Sequence, residues 1–388
     1  MSQTNKPHKI YLDNQSTTAV DPRVMQVMLP YFTDYYGNAA SRNHAFGWAA
    51  ADAVEIAREQ VAKLIQCRPA EIIFTSGATE ANNLAITGLA HNKQNPKKDH
   101  ILTIKTEHKA VLDTCQMLEK DGFTVSYLDV NLDGVLDLGK LTDAITDRTL
   151  LVSVMHANNE IGIIQPIAEI ARICAERQVV FHTDGSQSVG KISVDFSAWG
   201  IDLMSMSAHK MYGPKGIGAL AIRRKNPTIR LKPIQYGGGH ERGLRSGTLP
   251  VPLIVGFGAA CEFAMNEMDE ESRRIARLRD MLLSGITSKL DGITVNGSMI
   301  DRLPGNLNLS FTNINAEALI MGMPEIAISS GSACTSSSPE PSYVLKALGL
   351  SDDQSYSSVR FGIGRFTTEA EITTVISRIV ERVKRLRQ

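Results

Sequence analysis

In Ser205-Met-Ser-Ala-His-Lys-Met-Tyr-Gly-Pro-Lys-Gly216, a lysine, Lys210, follows an apolar strand-like run and precedes a Gly-Pro-rich turn. At a strand end beside a histidine and two serines, its amine is a candidate to hold an aldehyde as a Schiff base. Upstream, Val179-Val-Phe-His-Thr-Asp184 is a second apolar strand, and it ends in a carboxylate. Pyridoxal phosphate needs those two groups on neighbouring strand ends, an amine for its aldehyde and an anion for its ring nitrogen. Either motif alone says little. The pair sets the hypothesis.

Other strand ends carry compatible chemistry. Glu71-Ile-Ile-Phe-Thr-Ser-Gly-Ala-Thr-Glu80 reads as a strand, a glycine turn and a helix start. The backbone N–H groups of Gly77, Ala78 and Thr79 form an anion cradle there, suited to phosphate; the plainer alternative is a helix capped by Thr79. In Thr106-Glu-His-Lys109, His108 could stack on a flat ring, shuttle protons, or only hold local structure. Met155-His-Ala-Asn-Asn-Glu-Ile-Gly162 supplies Asn159, a donor to a ring oxygen or a turn-forming amide, and Gln187 could make a similar contact. The loop Tyr236-Gly-Gly-Gly-His-Glu-Arg-Gly-Leu-Arg-Ser-Gly-Thr248 is glycine-rich and basic, which fits anion contact, possible also across a subunit boundary. Cys334 stands in Ser329-Ser-Gly-Ser-Ala-Cys-Thr-Ser-Ser-Ser338, a small, polar surround unlike the helix-like contexts of Cys67 and Cys174. A cysteine so placed is a liability unless its thiolate is used. Arg360 could hold an amino-acid carboxylate with two parallel hydrogen bonds. Arg365 is the alternative, and a surface ion pair is the plain reading of each.

The elements that must position these groups alternate. Between residues 50 and 225, a helix from Trp48 to Ile65 precedes strands at Ile72–Thr75, Ile101–Ile104, Val125–Leu128, Leu150–Met155, Val179–His182 and Leu203–Met206. Alternation predicts a mostly parallel sheet with helices on both faces and ligands at the carboxyl ends of the strands. Beyond Pro252, two helices (Ile254 to Met268 and Glu271 to Leu290), strands near Ile293–Val295 and Leu307–Phe311, and a final amphipathic helix from Ile372 to Leu386 predict a smaller α+β domain. The 388 residues suffice for two domains, with 43% apolar and 21% charged side chains. Lysine plus arginine equals aspartate plus glutamate at 41 each, so no charge excess argues for nucleic acid or an anionic membrane. Met1 to Lys9 lacks a signal-peptide core, and no apolar run reaches membrane-spanning length. Five scattered cysteines without a CxxC pair, and nine histidines without ligand spacing, predict no disulfide framework and no metal site, and a reducing cytoplasm.

Thr75-Ser-Gly-Ala-Thr-Glu80, Lys105-Thr-Glu-His-Lys-Ala110, His156-Ala-Asn-Asn-Glu-Ile-Gly162, His182-Thr-Asp184, Ser207-Ala-His-Lys210, the Gly237–Thr248 loop and Ser330-Gly-Ser-Ala-Cys-Thr335 together resemble the cysteine desulfurases. These are pyridoxal-phosphate enzymes of the class V aminotransferase-like group. The last motif is similar to the longer-loop subgroup that supplies sulfur for iron–sulfur clusters and tRNA thiolation. The resemblance runs from Tyr11 to about Arg387. It implies the aspartate aminotransferase-like fold type I: an α/β large domain with a mostly parallel seven-stranded sheet over residues 16–252, and a smaller α+β domain over 253–388 carrying the cysteine loop. Residues 1–15 would form an arm joined to the small domain.

The resemblance also implies roles. Lys210 would hold the cofactor and move protons, and Asp184 would pair with the ring nitrogen. Ala78, Thr79, Ser207 and His209 would bind phosphate, joined by Thr248 from the second subunit of a homodimer. His108 would stack on the ring and take part in catalysis, Asn159 and Gln187 would contact its hydroxyl oxygen, and Asn38 and Arg360 would take the substrate carboxylate. L-cysteine would become L-alanine while the Cys334 thiolate takes the sulfur as a persulfide for an acceptor protein. A selenocysteine lyase or another pyridoxal-phosphate enzyme of the same fold is the alternative, with a non-enzymatic scaffold of that fold as the second. Ala39 and Ala19 stand where the family has proline. The chain stops at Gln388, where well-known members continue into a scaffold-docking tail, so docking in that mode is not expected.

Overall fold

The computed structural model describes residues 9–92, 97–224, 228–330 and 340–388. Its strands are β1 (Ile10–Tyr11), β2 (Ile72–Thr75), β3 (His100–Ile104), β4 (Thr124–Leu128), β5 (Thr149–Ser153), β6 (Val180–Asp184), β7 (Leu203–Ser207), β8 (Gly218–Ile222), β9 (Ile293–Val295), β10 (Asn306–Phe311), β11 (Ile326–Ala327) and β12 (Ser358–Gly362). Between them lie helices α1 (Pro22–Met28), α2 (Pro30–Thr33), α3 (Ala45–Leu64), α4 (Ala78–Ala90), α5 (Lys109–Lys120), α6 (Leu138–Ala144) and α7 (Ile167–Glu176). The remaining helices are α8 (Val251–Thr287), α9 (Ala316–Met321), α10 (Tyr343–Ala347), α11 (Asp352–Tyr356) and α12 (Glu369–Leu386).

The main sheet runs β2-β8-β7-β6-β5-β3-β4. Strands β4, β3, β5, β6 and β7 pair in parallel, and β8 runs against both β2 and β7. The expected mostly parallel seven-stranded sheet is therefore present. Two antiparallel pairings in sequence leave β2 ending on the same edge as the parallel strands. Successive residues point to opposite faces. Ile73, Ile101, Leu151, Leu203 and Leu220 join one core with α4 and α5, while Ile72, Leu102, Val152, Met204 and Ala219 join another with α3 and α7. Apolar cover on both faces is why these strands read as unbroken hydrophobic runs.

The two expected helices after Pro252 are one helix of 37 residues. The polar run around Asn266–Glu270 contains neither glycine nor proline, so it changes the buried face without breaking the backbone ladder. Val251 to Ala264 pack into the core of the main sheet. Ile275, Leu278, Leu282 and Ile286 pack into a second core with the sheet β12-β10-β9, α12, Ile10 and Leu12. Ile372, Val375, Ile376, Ile379 and Val383 are buried along α12 as the spacing predicts. Three of the four described cysteines (Cys115, Cys174 and Cys261) are buried and Cys67 is partly so; none of the four is in a disulfide. Burial, aided by the Glu71 carboxylate, pushes the Cys67 thiol up to about 12, so it is inert. Among the described residues no group of three or more potential ligands could hold a metal, and no helix is long and apolar enough to cross a membrane.

Candidate active site

A cavity of about 540 Å³ opens at the carboxyl edge of the main sheet. Strand ends and the turns that follow them build it, because only there does a parallel sheet release side chains from both covering layers. The structure brings together Ala78, Thr79, His108, Asn159, Asp184, Gln187, Ser207, His209 and Lys210 around this one space.

At one end, β2 passes through Gly77 into α4. Gly77 is the N-cap and supplies no side-chain cap, so the first N–H groups of a 13-residue helix, including those of Ala78 and Thr79, look into the cavity with the positive end of the dipole. This corrects the alternative in which Thr79 is the cap. Gly77 has φ +155, and a Cβ on its neighbour Gly218 would come within 2.7 Å of the Gly77 Cα. The turn lies against β8 too closely for any side chain at 218. Glu80, in the first turn of α4, is occupied elsewhere: it accepts from the Ser76 N–H at 2.7 Å and from Arg245 Nε at 2.9 Å. Burial works against the Glu80 charge, but these donors hold its carboxyl below the usual range. Ser207 closes β7 beside the cradle. His209 is fixed by Thr17 Oγ1 at 3.0 Å from Nδ1; burial, then the Lys210, Lys215 and Lys191 charges, lower it to about 4. It is a neutral imidazole at pH 7.

Lys210 ends a short turn after β7, and its Nζ donates to the carbonyls of Gln15 at 2.5 Å and Ser16 at 2.8 Å. Asp184 is the last residue of β6 and is 5% exposed. Asn82 Nδ2 donates to its Oδ2 at 2.7 Å, and the Ser186 N–H to its Oδ1 at 2.9 Å. Two donors from different elements fix the plane of this carboxylate. Parallel pairing of Asp184 with Ser205 sets its distance from the lysine turn.

His108 has the local structural role its sequence allowed, and it also lines the cavity. It N-caps α5, its Nδ1 accepting from the Ala110 N–H at 3.1 Å, and its ring borders the cavity. The cap fixes the ring, and in the neutral form it leaves the proton on Nε2. Met155 and Ala157 add apolar wall. The Asn159 side-chain oxygen is buried with no hydrogen-bond partner, and so is Ser186 Oγ. Buried polar atoms without partners are rare in folded proteins and mark places where a bound group completes the bonding. Gln187 is fastened differently, donating to the Gln15 carbonyl at 2.9 Å and accepting from Lys191 Nζ at 3.0 Å.

Arg360, Arg365, Asn38 and Thr248 lie outside the cavity lining. Arg360 is on β12. Its guanidinium reaches Asp13 Oδ1 and Ser16 Oγ, each at 2.7 Å, and the Asn159 carbonyl at 2.9 Å, placing it behind the Asn159 wall. Arg365 is fully engaged by Asp21 and Glu271, which removes it as the carboxylate-binding alternative. Asn38 is exposed, its Oδ1 accepting from the Ala40 N–H. Thr248 is exposed at the end of the glycine-rich loop. Cys334 lies outside the described residues, but both flanks of its segment are placed. Ser329 exchanges backbone hydrogen bonds with Arg360, and Ser342 Oγ donates to Glu160 at 2.5 Å. Both anchors adjoin Asn159.

An aminotransferase class-V model matches residues 10–375. Cysteine desulfurase IscS of Anaeromyxobacter dehalogenans (strain 2CP-C) is 57% identical over 379 residues, 98% of this chain and 93% of the relative. The chain belongs to the cysteine desulfurases of the class-V aminotransferase family. A solved NifS-like protein superposes with a TM-score of 0.89 at 36% identity, covering 96% of this chain and 98% of that one. SspA in complex with cysteine superposes with a TM-score of 0.81, also at 36% identity, covering 92% of this chain and 100% of that one.

Three residues of this family member received no role from the sequence. Asn82 holds Asp184 from within α4. Glu107 lies beneath His108, where burial and then the Asp184 charge push its carboxyl well above the usual range; its Oε1 accepts the Met155 N–H and its Oε2 is without a partner. Glu160 is raised to about 7 by burial, against the pull of Ser342, Arg360 and His108. For Glu107 and Glu160 the signal was adjacency to His108 and Asn159; Asn82 carried none, and only the fold brings it to Asp184.

Proposed function

We propose that the chain converts L-cysteine to L-alanine, with pyridoxal phosphate as resident cofactor and Cys334 as the thiol that receives sulfur. The observation that carries this reading is the convergence of the Lys210 amine, the Asp184 carboxylate and the uncapped start of α4 on one cavity. The residues fit the group. The α4 N–H groups with Ser207 and His209 suit a phosphate, Asp184 suits a ring nitrogen, and the unpartnered Asn159 oxygen accounts for one further polar contact. When bound, pyridoxal phosphate supplies an electron-withdrawing ring that weakens bonds at the α-carbon of an amino acid.

The chain's own residues do the rest. Asp184, held by Asn82 and Ser186, keeps a negative charge against the ring nitrogen. Lys210, aimed by two carbonyls, removes and returns the proton at the α-carbon. His108, capped into a fixed orientation, offers a flat face and Nε2. The Cys334 thiolate attacks the substrate sulfur; an S–S bond forms as the substrate's C–S bond breaks, and the substrate carbon takes a proton. One cysteine and one enzyme thiol thus yield one alanine and one persulfide, with no external oxidant. The anchoring of Ser329 to Arg360 and of Ser342 to Glu160 supports this role, because both ends of the segment are tied beside the Asn159 wall. Asn38 and Arg360 complete the reading as holders of the substrate carboxylate.

A homodimer belongs to the same proposal. Phe32, Tyr35, Tyr36, Phe46, Trp48 and Ile56 are each more than half exposed within 25 residues of sequence. Such an apolar surface marks an interaction site, and it adjoins the segment bearing Asn38. The exposure of Thr248 suits a residue that serves the partner's phosphate. We place the chain in the cytoplasm, divide it into an arm (1–15), a large unit (16–252) and a small unit (253–388), and assign the persulfide to an acceptor protein of iron–sulfur assembly or tRNA thiolation. The separate core of the small sheet, which holds Ile10 and Leu12, supports an arm joined to a small unit, while the first half of α8, Val344, Leu345 and Leu348 pack into the main-sheet core. The test is the product. With cysteine and a reductant the protein should release alanine and sulfide, and Cys334→Ala should abolish both while the bound cofactor keeps its colour. Sulfide release undiminished in that variant would defeat the assignment.

A further inference from the structure

Gln187 lines the first cavity, and Gln15, to whose carbonyl it donates, lines a second, much smaller cavity of about 30 Å³. Asn14, Gln15, Lys191, Tyr212, Glu271 and Ser272 line it, at the junction of the two cores. Lys191 is half-buried there and appears in none of the motifs that mark the family. Its backbone is tied to the long helix, since Ser272 Oγ donates to the Lys191 carbonyl at 2.6 Å. Its side chain turns back over the four preceding residues, and Nζ donates to Gln187 Oε1 at 3.0 Å.

We propose that Lys191 is a positioning residue that fixes the Gln187 amide from behind and presents a positive charge to Lys210. A lysine ammonium only donates, so charged Lys191 turns the Gln187 oxygen toward itself and the Gln187 NH2 group toward the Gln15 carbonyl, 2.9 Å away. That same carbonyl accepts from Lys210 Nζ at 2.5 Å. One backbone oxygen thus joins Lys191, through Gln187, to Lys210. Without Lys191 the Gln187 amide can reverse, and the donor that orients the shared carbonyl is lost.

The charges around Lys191 favour such coupling. Lys210 and Arg360 face it with the same sign, and Glu271 with the opposite sign. Glu271 is already held by both ends of the Arg365 guanidinium, at 3.0 and 2.9 Å, and Arg360 by Asp13. Tyr212 accepts from the Arg365 N–H. Burial first, then Lys210 and Arg360, lower the Lys191 amine to about 7. A cation at 191 disfavours a second cation at 210, and so favours the deprotonated nitrogen there.

This inference rests on the reading that Lys210 carries the cofactor, and the experiment separates the two. The absorbance of the cofactor-loaded protein is followed from pH 6 to 10 for the natural chain, Lys191→Arg and Lys191→Met, with thermal melts as a folding control. The arginine keeps a permanent charge and the methionine has none. The midpoint of the absorbance change in Lys191→Arg should lie at least about half a pH unit below that in Lys191→Met. Should the methionine variant fail to fold, Lys191→Arg must still fall below the natural chain, whose own amine loses its charge as pH rises past 7. Coincident midpoints, or spectra that do not vary with pH, overturn the proposal. Failure of the natural chain to take up pyridoxal phosphate instead defeats the reading of the previous subsection.

Discussion

Lys210, Asp184 and Ser207 stand at the ends of central strands, buried or partly so, each held by bonds from a different element. Asn38 and Thr248 are exposed, on segments that border the same reaction in the proposal but have no contact with the cavity. The first group is a floor completed inside one chain. The second is a rim, and its geometry waits on whatever covers the exposed aromatics between Phe32 and Ile56. Even the rim is anchored at its root: in the glycine-rich loop, Glu241 forms a buried ion pair with Arg58 at 2.8 Å and accepts the Phe74 N–H of β2. In the proposal, chemistry is fixed by the sheet, and access by surfaces that a second copy would complete.

Removing a floor residue should give the largest effect. Lys210→Ala should lower alanine production by about 10³-fold or more with an unchanged melting temperature, measured by amino-acid analysis; residual turnover near that of the natural chain would break the distinction. A rim substitution should act through assembly. Trp48→Asp places a charge in the exposed aromatic patch and should weaken self-association by roughly 30-fold or more, seen by sedimentation, with the circular dichroism spectrum retained. If the variant is as dimeric as the natural chain, this patch is not the interface.

A third effect concerns the joint between floor and cysteine segment. Glu160 is raised from the ordinary 4.5 to about 7 in the folded protein. Its contribution to stability is therefore fully present below pH 4.5 and is lost as pH rises through about 7, a total of roughly 3 kcal/mol. Glu160→Gln, which cannot ionise, should gain in melting temperature relative to the natural chain between pH 5 and pH 8. The imidazoles of buried His182 and half-buried His209, lowered to about 4, work in the opposite direction and cancel in that difference.

The strand ends were legible because polar, reactive side chains directly follow apolar runs, which is how a sheet edge appears in one dimension. β8 was not read as a strand: Gly218-Ala-Leu-Ala-Ile222 lacks the branched bulk that marks its neighbours, yet it fits because a larger residue at 218 would strike Gly77. The unity of α8 was obscured by a polar stretch that changes the buried face without breaking the helix. Asn82, Glu107, Glu160 and Lys191 stayed silent for another reason. Each acts through one contact to a residue far away in the chain or hidden from solvent, and neither hydrophobic period nor motif spacing encodes such a partner.

The uninterrupted α8 has a mechanical consequence. At about 1.5 Å per residue it is a beam of roughly 55 Å whose halves are cemented into different cores, and curving it sharply would require opening its own ladder of backbone bonds. The two cores therefore share a chassis rather than a hinge, and a pair of dyes at its ends should keep nearly constant spacing through each turnover.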